Sequence, residues 1–196
     1  AFPVLTRGRV GLDFYRATGR KAFVAHEKAE LHRQLDRIAA AFPVEKTLIQ
    51  SLIPNDGTNK TISFAAFCVE GEIKAYWMGD KVREHPVRFG TATFARSTYV
   101  QPCLIQSVKL LKALDYTGVC EVEYLRDPRD GQYKLIEINA RTWLWVGLAR
   151  ACGVDFARMV YEYVNGMAGA YPERYETGVC WIHHLTDTAY AARDIL

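Results

Sequence analysis

The sequence has no long hydrophobic run, no gathered block of like charge and no cysteine pattern, and each absence removes a class of protein. Its longest apolar stretches, such as Ile62 to Val69, fall far short of the roughly 20 residues that a membrane-spanning helix requires. No charged-then-apolar pattern opens the chain. A formal charge of +3, with Lys and Arg dispersed, argues against a nucleic-acid surface, so any anion must be bound locally. The five cysteines, Cys68, Cys103, Cys120, Cys152 and Cys180, are odd in number and widely spaced among apolar neighbours. They read as reduced core thiols, not as a disulfide framework or a zinc site. Internal repeats and low-complexity linkers are missing too. The expectation is a cytoplasmic protein that binds neither membrane nor nucleic acid.

What is present is enough for a core: 196 residues, 49% hydrophobic and 24% charged, in one domain or one domain with two lobes. Ala1-Phe2-Pro3-Val4-Leu5 reads as a chain beginning inside a strand, as in a piece of a longer protein. A short strand at Val4 to Leu5 leads into a basic, glycine-containing loop from Thr6 to Arg20 and a second strand at Ala22 to Ala25. Leu31, Leu35 and Ile38 share one face of a helix from about Glu27 to Ala41, with Pro43 beyond its end. Thr47 to Ile53 is strand-like and stops at the turn cluster Pro54-Asn55-Asp56-Gly57. Thr61 to Val69 and Ile73 to Met78 flank Glu70-Gly71-Glu72 as a hairpin.

A polar loop is expected from His85-Pro86 to Thr98, then a helix from about Gln101 to Leu114 that buries Leu104, Val108 and Leu111. Strands at Gly118 to Arg126 and Gln132 to Asn139 bracket a turn at Asp127-Pro128-Arg129-Asp130-Gly131. Helices follow at about Leu144 to Cys152 and Phe156 to Asn165, the second capped by Asp155 and closed by Gly166. One more strand and a helix fill the tail. Antiparallel hairpins with helices packed on one side make the fold class α+β. Tyr161, Tyr163, Trp143 and Trp145 read as core or lobe-contact aromatics. Adjacent His183 and His184 would point to opposite faces of a strand and make poor joint ligands.

The chemistry concentrates in the second hairpin. Alternation puts Glu121 and Glu123 on one strand face, opposite to Cys120, Val122 and Tyr124, and on the partner strand it puts Glu137 with Asn139. Folding about the turn brings Glu137 opposite, or one pair diagonal to, Glu123. Facing carboxylates repel by roughly 0.2–1 kcal/mol across a ladder. A cation between them reverses that sign, and Mg²⁺ takes one or two carboxylates plus phosphate oxygens. A solvated sheet face bearing glutamates is the alternative.

Glu137-Ile138-Asn139-Ala140-Arg141-Thr142-Trp143 resembles the Glu-x-Asn-x-Arg segment of the ATP-grasp superfamily, following an acid-bearing strand as it does there. Leu48-Ile49-Gln50-Ser51-Leu52-Ile53-Pro54 resembles that family's adenine-binding linker strand. Gly79-Asp80-Lys81-Val82-Arg83, with Pro86 and Gly90, and the tract from Asp127 to Leu135 are similar to its carboxylate–amine ligase branch. The resemblance implies an ATP-grasp fold: residues 1–46 as part of a small lobe, and residues 47–196 as the large lobe with the linker strand and the ion-binding hairpin.

It further implies ATP with Mg²⁺, or Mn²⁺ in its place, as cofactors. Glu123, Glu137 and Asn139 would hold the metal. Gln50, Ser51, Leu52 and Ile53 would take the adenine, Asp56 the ribose, and Arg7, Lys21 and Lys81 the phosphates. Lys81 and Arg83, two apart on a strand, would share a face. Arg83 and Arg141 would serve the reacting carboxyl group. The implied reaction is ligation of a small carboxylate to an amine (or thiol) through an acyl phosphate, completed by an N-terminal domain outside these residues, with a homodimer admitted. The chain departs from the pattern at Arg7-Gly8, where Lys-Pro is usual, at Ser51 and at Ala140. Those departures leave open a nucleotide-binding module that regulates or assembles without catalysis, and a purely structural domain.

Overall fold

The computed structural model describes residues 2–54, 56–57, 59–85, 90–167 and 169–195, with backbone alone over 191–195. It divides into two compact units, Ala1–Pro54 and Asn55–Leu196. The linker strand, grouped with the larger lobe in the sequence reading, lies in the first unit. Pro86 and Asn55, named in that reading, lie outside the described residues.

In the first unit, β1 (Val4–Gly8) pairs antiparallel with both β2 (Phe23–Ala25) and β3 (Thr47–Ser51), giving the order β2-β1-β3. Two helices complete it, α1 (Gly11–Thr18) and α2 (Lys28–Ala39), around buried Phe14, Phe23, Ile38 and Phe42. The basic loop expected between β1 and β2 therefore contains a helix. Its signals are weak for a physical reason: its cap is Val10, with no side chain to accept from the first turn, and it buries only Phe14. Gly8 is required here, since a Cβ would sit 2.4 Å from Cβ of Phe14.

The second unit is a six-stranded antiparallel sheet, ordered β8-β7-β4-β5-β6-β9. Its strands are β4 (Thr61–Val69), β5 (Glu72–His85), β6 (Thr91–Ser97), β7 (Gly118–Arg126), β8 (Tyr133–Asn139) and β9 (Cys180–Ile182). Glu70 and Gly71, both at positive φ (50° and 73°), form the two-residue turn whose twist suits a hairpin. Strand β6 replaces the second half of the expected polar loop, and β5 runs well beyond Met78. Thr91-Ala92-Thr93-Phe94-Ala95-Arg96-Ser97 carries little hydrophobic alternation, and its place between β5 and β9 makes it a strand.

Helices α3 (Gln101–Ala113), α4 (Val146–Ala151), α5 (Phe156–Val164) and α6 (His184–Ile195) complete the unit. They are divided between the faces instead of gathered on one side. Cys103 and Leu111 of α3 pack with Phe64, Cys120, Val122 and Tyr124. Leu148, Phe156 and Met159 of α4 and α5 pack on the opposite face with Ala65, Phe67 and Trp77. The buried line of α3 is Cys103, Ser107 and Leu111, spaced by four, and Val108 is exposed, contrary to expectation. Ser107 is admitted to the core because its hydroxyl pairs with that of Tyr124 at 2.8 Å. Asp155 caps α5, accepting from the Arg158 N–H at 3.1 Å, as its position predicts. Trp143 and Trp145 are core residues, Tyr161 is exposed, and Tyr163 meets Phe67 edge-on from a half-exposed position.

Candidate functional site

The six-stranded sheet sets the site by register. One row across β5, β4, β7 and β8 reads Trp77, Ala65, Glu121, Asn139. The next reads Gly79, Ser63, Glu123, Glu137. Alternation puts all eight on the face opposite to Cys120, Val122 and Tyr124. Three of the floor residues, Ala65, Ser63 and Gly79, are small. The carboxylates therefore stand beside a buried floor of small residues, with Trp77 and Trp145 packed over Gly79, their rings within 2.3 and 2.6 Å of where its Cβ would lie. The direct pairing of Glu123 with Glu137 agrees with the sequence reading.

The charges are interlocked. Lys81 Nζ donates to Glu123 Oε1 at 2.8 Å, with both side chains about a tenth exposed (10% and 11%). Burial works against the Lys81 charge, but Glu123, backed by Glu121 and Glu84, outweighs it and raises its pKa. Glu121 is buried and accepts from Ser63 Oγ at 2.7 Å and from Asn139 Nδ2 at 3.2 Å. Desolvation first, then the Glu123 charge, pushes its carboxyl up to about 7, against the hydrogen bonds from Ser63 and Asn139 and the Lys81 charge. Asn139 Nδ2 also reaches Glu137 Oε1 at 3.4 Å, while its Oδ1 accepts from exposed Arg141 at 3.2 Å. The cluster thus joins Glu121, Glu123, Glu137, Asn139, Lys81 and Arg141.

Other sequence-predicted residues fall elsewhere. Arg83 does not join Lys81 at the carboxylates. Irregular pairing beside it on β5 breaks the two-residue alternation, and it lies over the Phe94 ring and pairs with buried Asp187 of α6, donating from Nε at 2.8 Å. Arg7, Lys21, Gln50, Ser51, Leu52 and Ile53 belong to the first unit. Among the described residues, strand β3 is paired only with β1. The Leu52 N–H donates to Pro3 O at 3.1 Å just past the end of β3, and alternation turns the backbone groups of Ser51 to the other edge. Asp56, in the second unit, accepts from the Asn59 N–H at 3.1 Å. His183 is a helix-start residue, its Nδ1 2.8 Å from Thr186 Oγ1.

Sequence placed Glu121 on the carboxylate face but did not single out Ser63 behind it or Asp187. Ser63 and the inward role of Glu121 depend on β4 lying beside β7, a long-range pairing that no local pattern announces. Asp187 had no signal at all.

Among the described residues, no group of three or more His, Cys, Asp and Glu side chains is gathered to hold a metal ion. The donor set here is two facing carboxylates and an amide, all oxygen donors, which suits a hard cation whose other positions are filled by water or phosphate. The residues therefore fit Mg²⁺. No helix among the described residues is long and apolar enough to cross a membrane.

Comparison with known proteins bears on the fold and on the family. The family described as carbamoyl-phosphate synthase L chain, ATP binding domain, matches residues 77–167. A D-aspartate ligase of Enterococcus faecium is 28% identical over 148 residues, covering 73% of this chain and 34% of the ligase. A biotin carboxylase complex from Campylobacter jejuni superposes with TM-score 0.69 at 17% identity, over 92% of this chain and 41% of that one. The biotin carboxylase domain of Hydrogenobacter thermophilus 2-oxoglutarate carboxylase, a dimer in complex with MgADP, ADP and bicarbonate, gives 0.67 at 17% identity, over 92% and 40%. The chain thus spans about a third of the length of the curated ligase it matches and about two fifths of these structures.

Proposed function

We propose that this chain, similar over residues 77–167 to the carbamoyl-phosphate synthase L chain ATP binding domain and folded like a biotin carboxylase, is an ATP-grasp domain: the ATP- and Mg²⁺-binding part of a carboxylate–amine ligase that works through an acyl phosphate. The observation that carries this reading is the register of Glu123 on Glu137, with Asn139 two residues on and Arg141 hydrogen-bonded to it. Glu123, Glu137 and Asn139 would hold the ion, which would supply positive charge to neutralise nucleotide phosphates.

The protein's own part is positioning and charge. A carboxylate oxygen attacks the γ-phosphorus in line, the bond to the ADP oxygen breaks, and an amine then attacks the acyl carbon to expel phosphate. No protein nucleophile is needed. Lys81, paired with Glu123 in the protein alone, supplies an ammonium for phosphate oxygens, and Arg141 supplies a guanidinium for charge at the carboxyl group. The outward backbone edge at Ser51 offers a carbonyl and an N–H, which suits the amino donor and ring acceptor of adenine. Arg7, Lys21 and Asp56 keep their proposed phosphate and ribose roles. Arg83 is reassigned to holding α6 through Asp187.

Similarity to a D-aspartate ligase supports an amino acid as the carboxylate, with D-aspartate the first to try. A further domain of the same protein would complete the substrate site, and dimeric assembly is part of the proposal. The test uses full-length protein with ATP, Mg²⁺, D-aspartate and hydroxylamine, which traps an acyl phosphate as a hydroxamate. Hydroxamate in step with ADP supports the reading, and ADP release indifferent to every carboxylate overturns it.

One observation favours a second reading, a nucleotide-binding module without catalysis: Lys81 already satisfies Glu123 without any added cation. Nucleotide binding with no hydroxamate from any acid would select it.

A further inference from the structure

We propose that Glu121 is the positioning residue of the carboxylate hairpin: with Ser63 behind it, it holds the amino end of the Asn139 amide and so turns the amide oxygen outward, to the side of Arg141. This rests on the reading of Glu123, Glu137 and Asn139 as the ion-holding set.

Glu121 is an expensive residue to keep where it is. It is 2% exposed, on a sheet face floored by Ala65 and Ser63, and it stands beside another carboxylate, Glu123. An apolar side chain would fit such a surface without the cost of burying a charge. What the carboxylate does there is visible in its contacts. Ser63 Oγ donates to one oxygen at 2.7 Å and so fixes the plane of the group, while the other oxygen takes Asn139 Nδ2 at 3.2 Å.

The orientation of Asn139 follows. One oxygen of Glu121 and one of Glu137, at 3.2 and 3.4 Å from Nδ2, both accept from the amino end of the amide. Arg141, which only donates, meets Oδ1 at 3.2 Å. Turning the amide over would set its oxygen against two carboxylates and its amino group against a guanidinium. Asn139 therefore presents an oxygen, the only end of an amide that a cation can use. Glu121 acts through it without meeting nucleotide or substrate. A buried partner that orients a metal ligand in this way is worth about 10–100-fold in metal affinity.

The test measures binding of a non-hydrolysable ATP analogue to full-length protein as Mg²⁺ is raised, so the readout is independent of turnover. Glu121→Ala is expected to raise the half-saturating Mg²⁺ by about 10-fold or more and to leave Mg²⁺-free analogue binding unchanged. Glu121→Gln is expected to stay within about threefold of the parent, because its carbonyl still accepts from Asn139 and its amide donates to Ser63 Oγ. Ser63→Ala, which removes no group from the hairpin, should show a smaller rise in the same direction and serves if Glu121→Ala fails to fold. An unchanged Mg²⁺ requirement in Glu121→Ala overturns the proposal. Loss in Glu121→Gln equal to that in Glu121→Ala also overturns it, since the carboxylate would then be holding the ion itself. If the parent protein needs no Mg²⁺ to bind the analogue, the reading of the hairpin fails first, and the two failures are distinguishable.

Discussion

Replacing Lys81 with methionine isolates the electrostatics of the hairpin. Methionine keeps the apolar stem and deletes the ammonium that sits 2.8 Å from Glu123, a partner only about a tenth exposed (11%). The deletion takes from Glu123 the ammonium it is paired with and leaves it beside Glu121 and opposite Glu137. Removing one member of a buried pair costs roughly 3–5 kcal/mol. Because Glu123 borders a site that admits water, the lower end, about 3 kcal/mol, is the expectation. For a chain of this size 1 kcal/mol moves the midpoint by about 2–4 °C, so Lys81→Met should melt about 6–12 °C below the parent in EDTA. Adding Mg²⁺ should return part of that loss in the variant and less in the parent, where the Lys81 ammonium competes with the ion for Glu123. Differential scanning calorimetry at neutral pH, with and without Mg²⁺, reads both. A drop under about 2 °C, or no gain from Mg²⁺ in the variant, would refute the reasoning.

Gly79→Ala places a methyl 2.3 Å from Cη2 of Trp77 and 2.6 Å from Cζ3 of Trp145. It should cost about 1–3 kcal/mol in urea denaturation and, by shifting the segment that carries Arg141, lower hydroxamate formation more than nucleotide affinity. Asp187→Ala removes the acceptor shared by Arg83 and Thr93 and should destabilise by about 1.5–3 kcal/mol, with faster amide exchange in α6. Burial pushes the Cys103 thiol from 9.0 up to about 12. Between those values the unfolded chain has lost a proton that the folded chain keeps, so stability falls as pH rises, by about 1.4 kcal/mol per unit from this group. The difference in unfolding free energy between parent and Cys103→Ala, followed from pH 8 to 11, should show that slope.

The hairpin was legible because its information is local. A turn at Asp127 to Gly131 brings β7 and β8 together, and alternation gathers the acids on one face; their direct opposition also needs a register shift beside Glu123, which passes over Ile136 and is not written in the local pattern. Helix α5 was legible through Asp155 and Gly166, which carry cap and stop in their side chains and backbone freedom. Helix α1 was not, because Val10 announces no cap and a single buried Phe14 gives no period. The face of α3 was misread because leucine and valine outrank cysteine and serine on any hydrophobic scale, whereas Ser107 earns its place through Tyr124. Strand β6, the capture of Arg83 by Asp187 and the backing of Glu121 by Ser63 all depend on strand neighbours distant in sequence.

Calorimetric titration of full-length protein with ATP, with and without Mg²⁺, compared with Glu137→Ala, bears on the ion-dependent nucleotide site itself. Mg²⁺-dependent binding is expected in the parent, and the variant is expected to lose it by at least about tenfold while melting at the same temperature. Equal affinity in the two proteins, or binding in the parent indifferent to Mg²⁺, would mean that facing glutamates on β7 and β8 are surface charge and not a cation site.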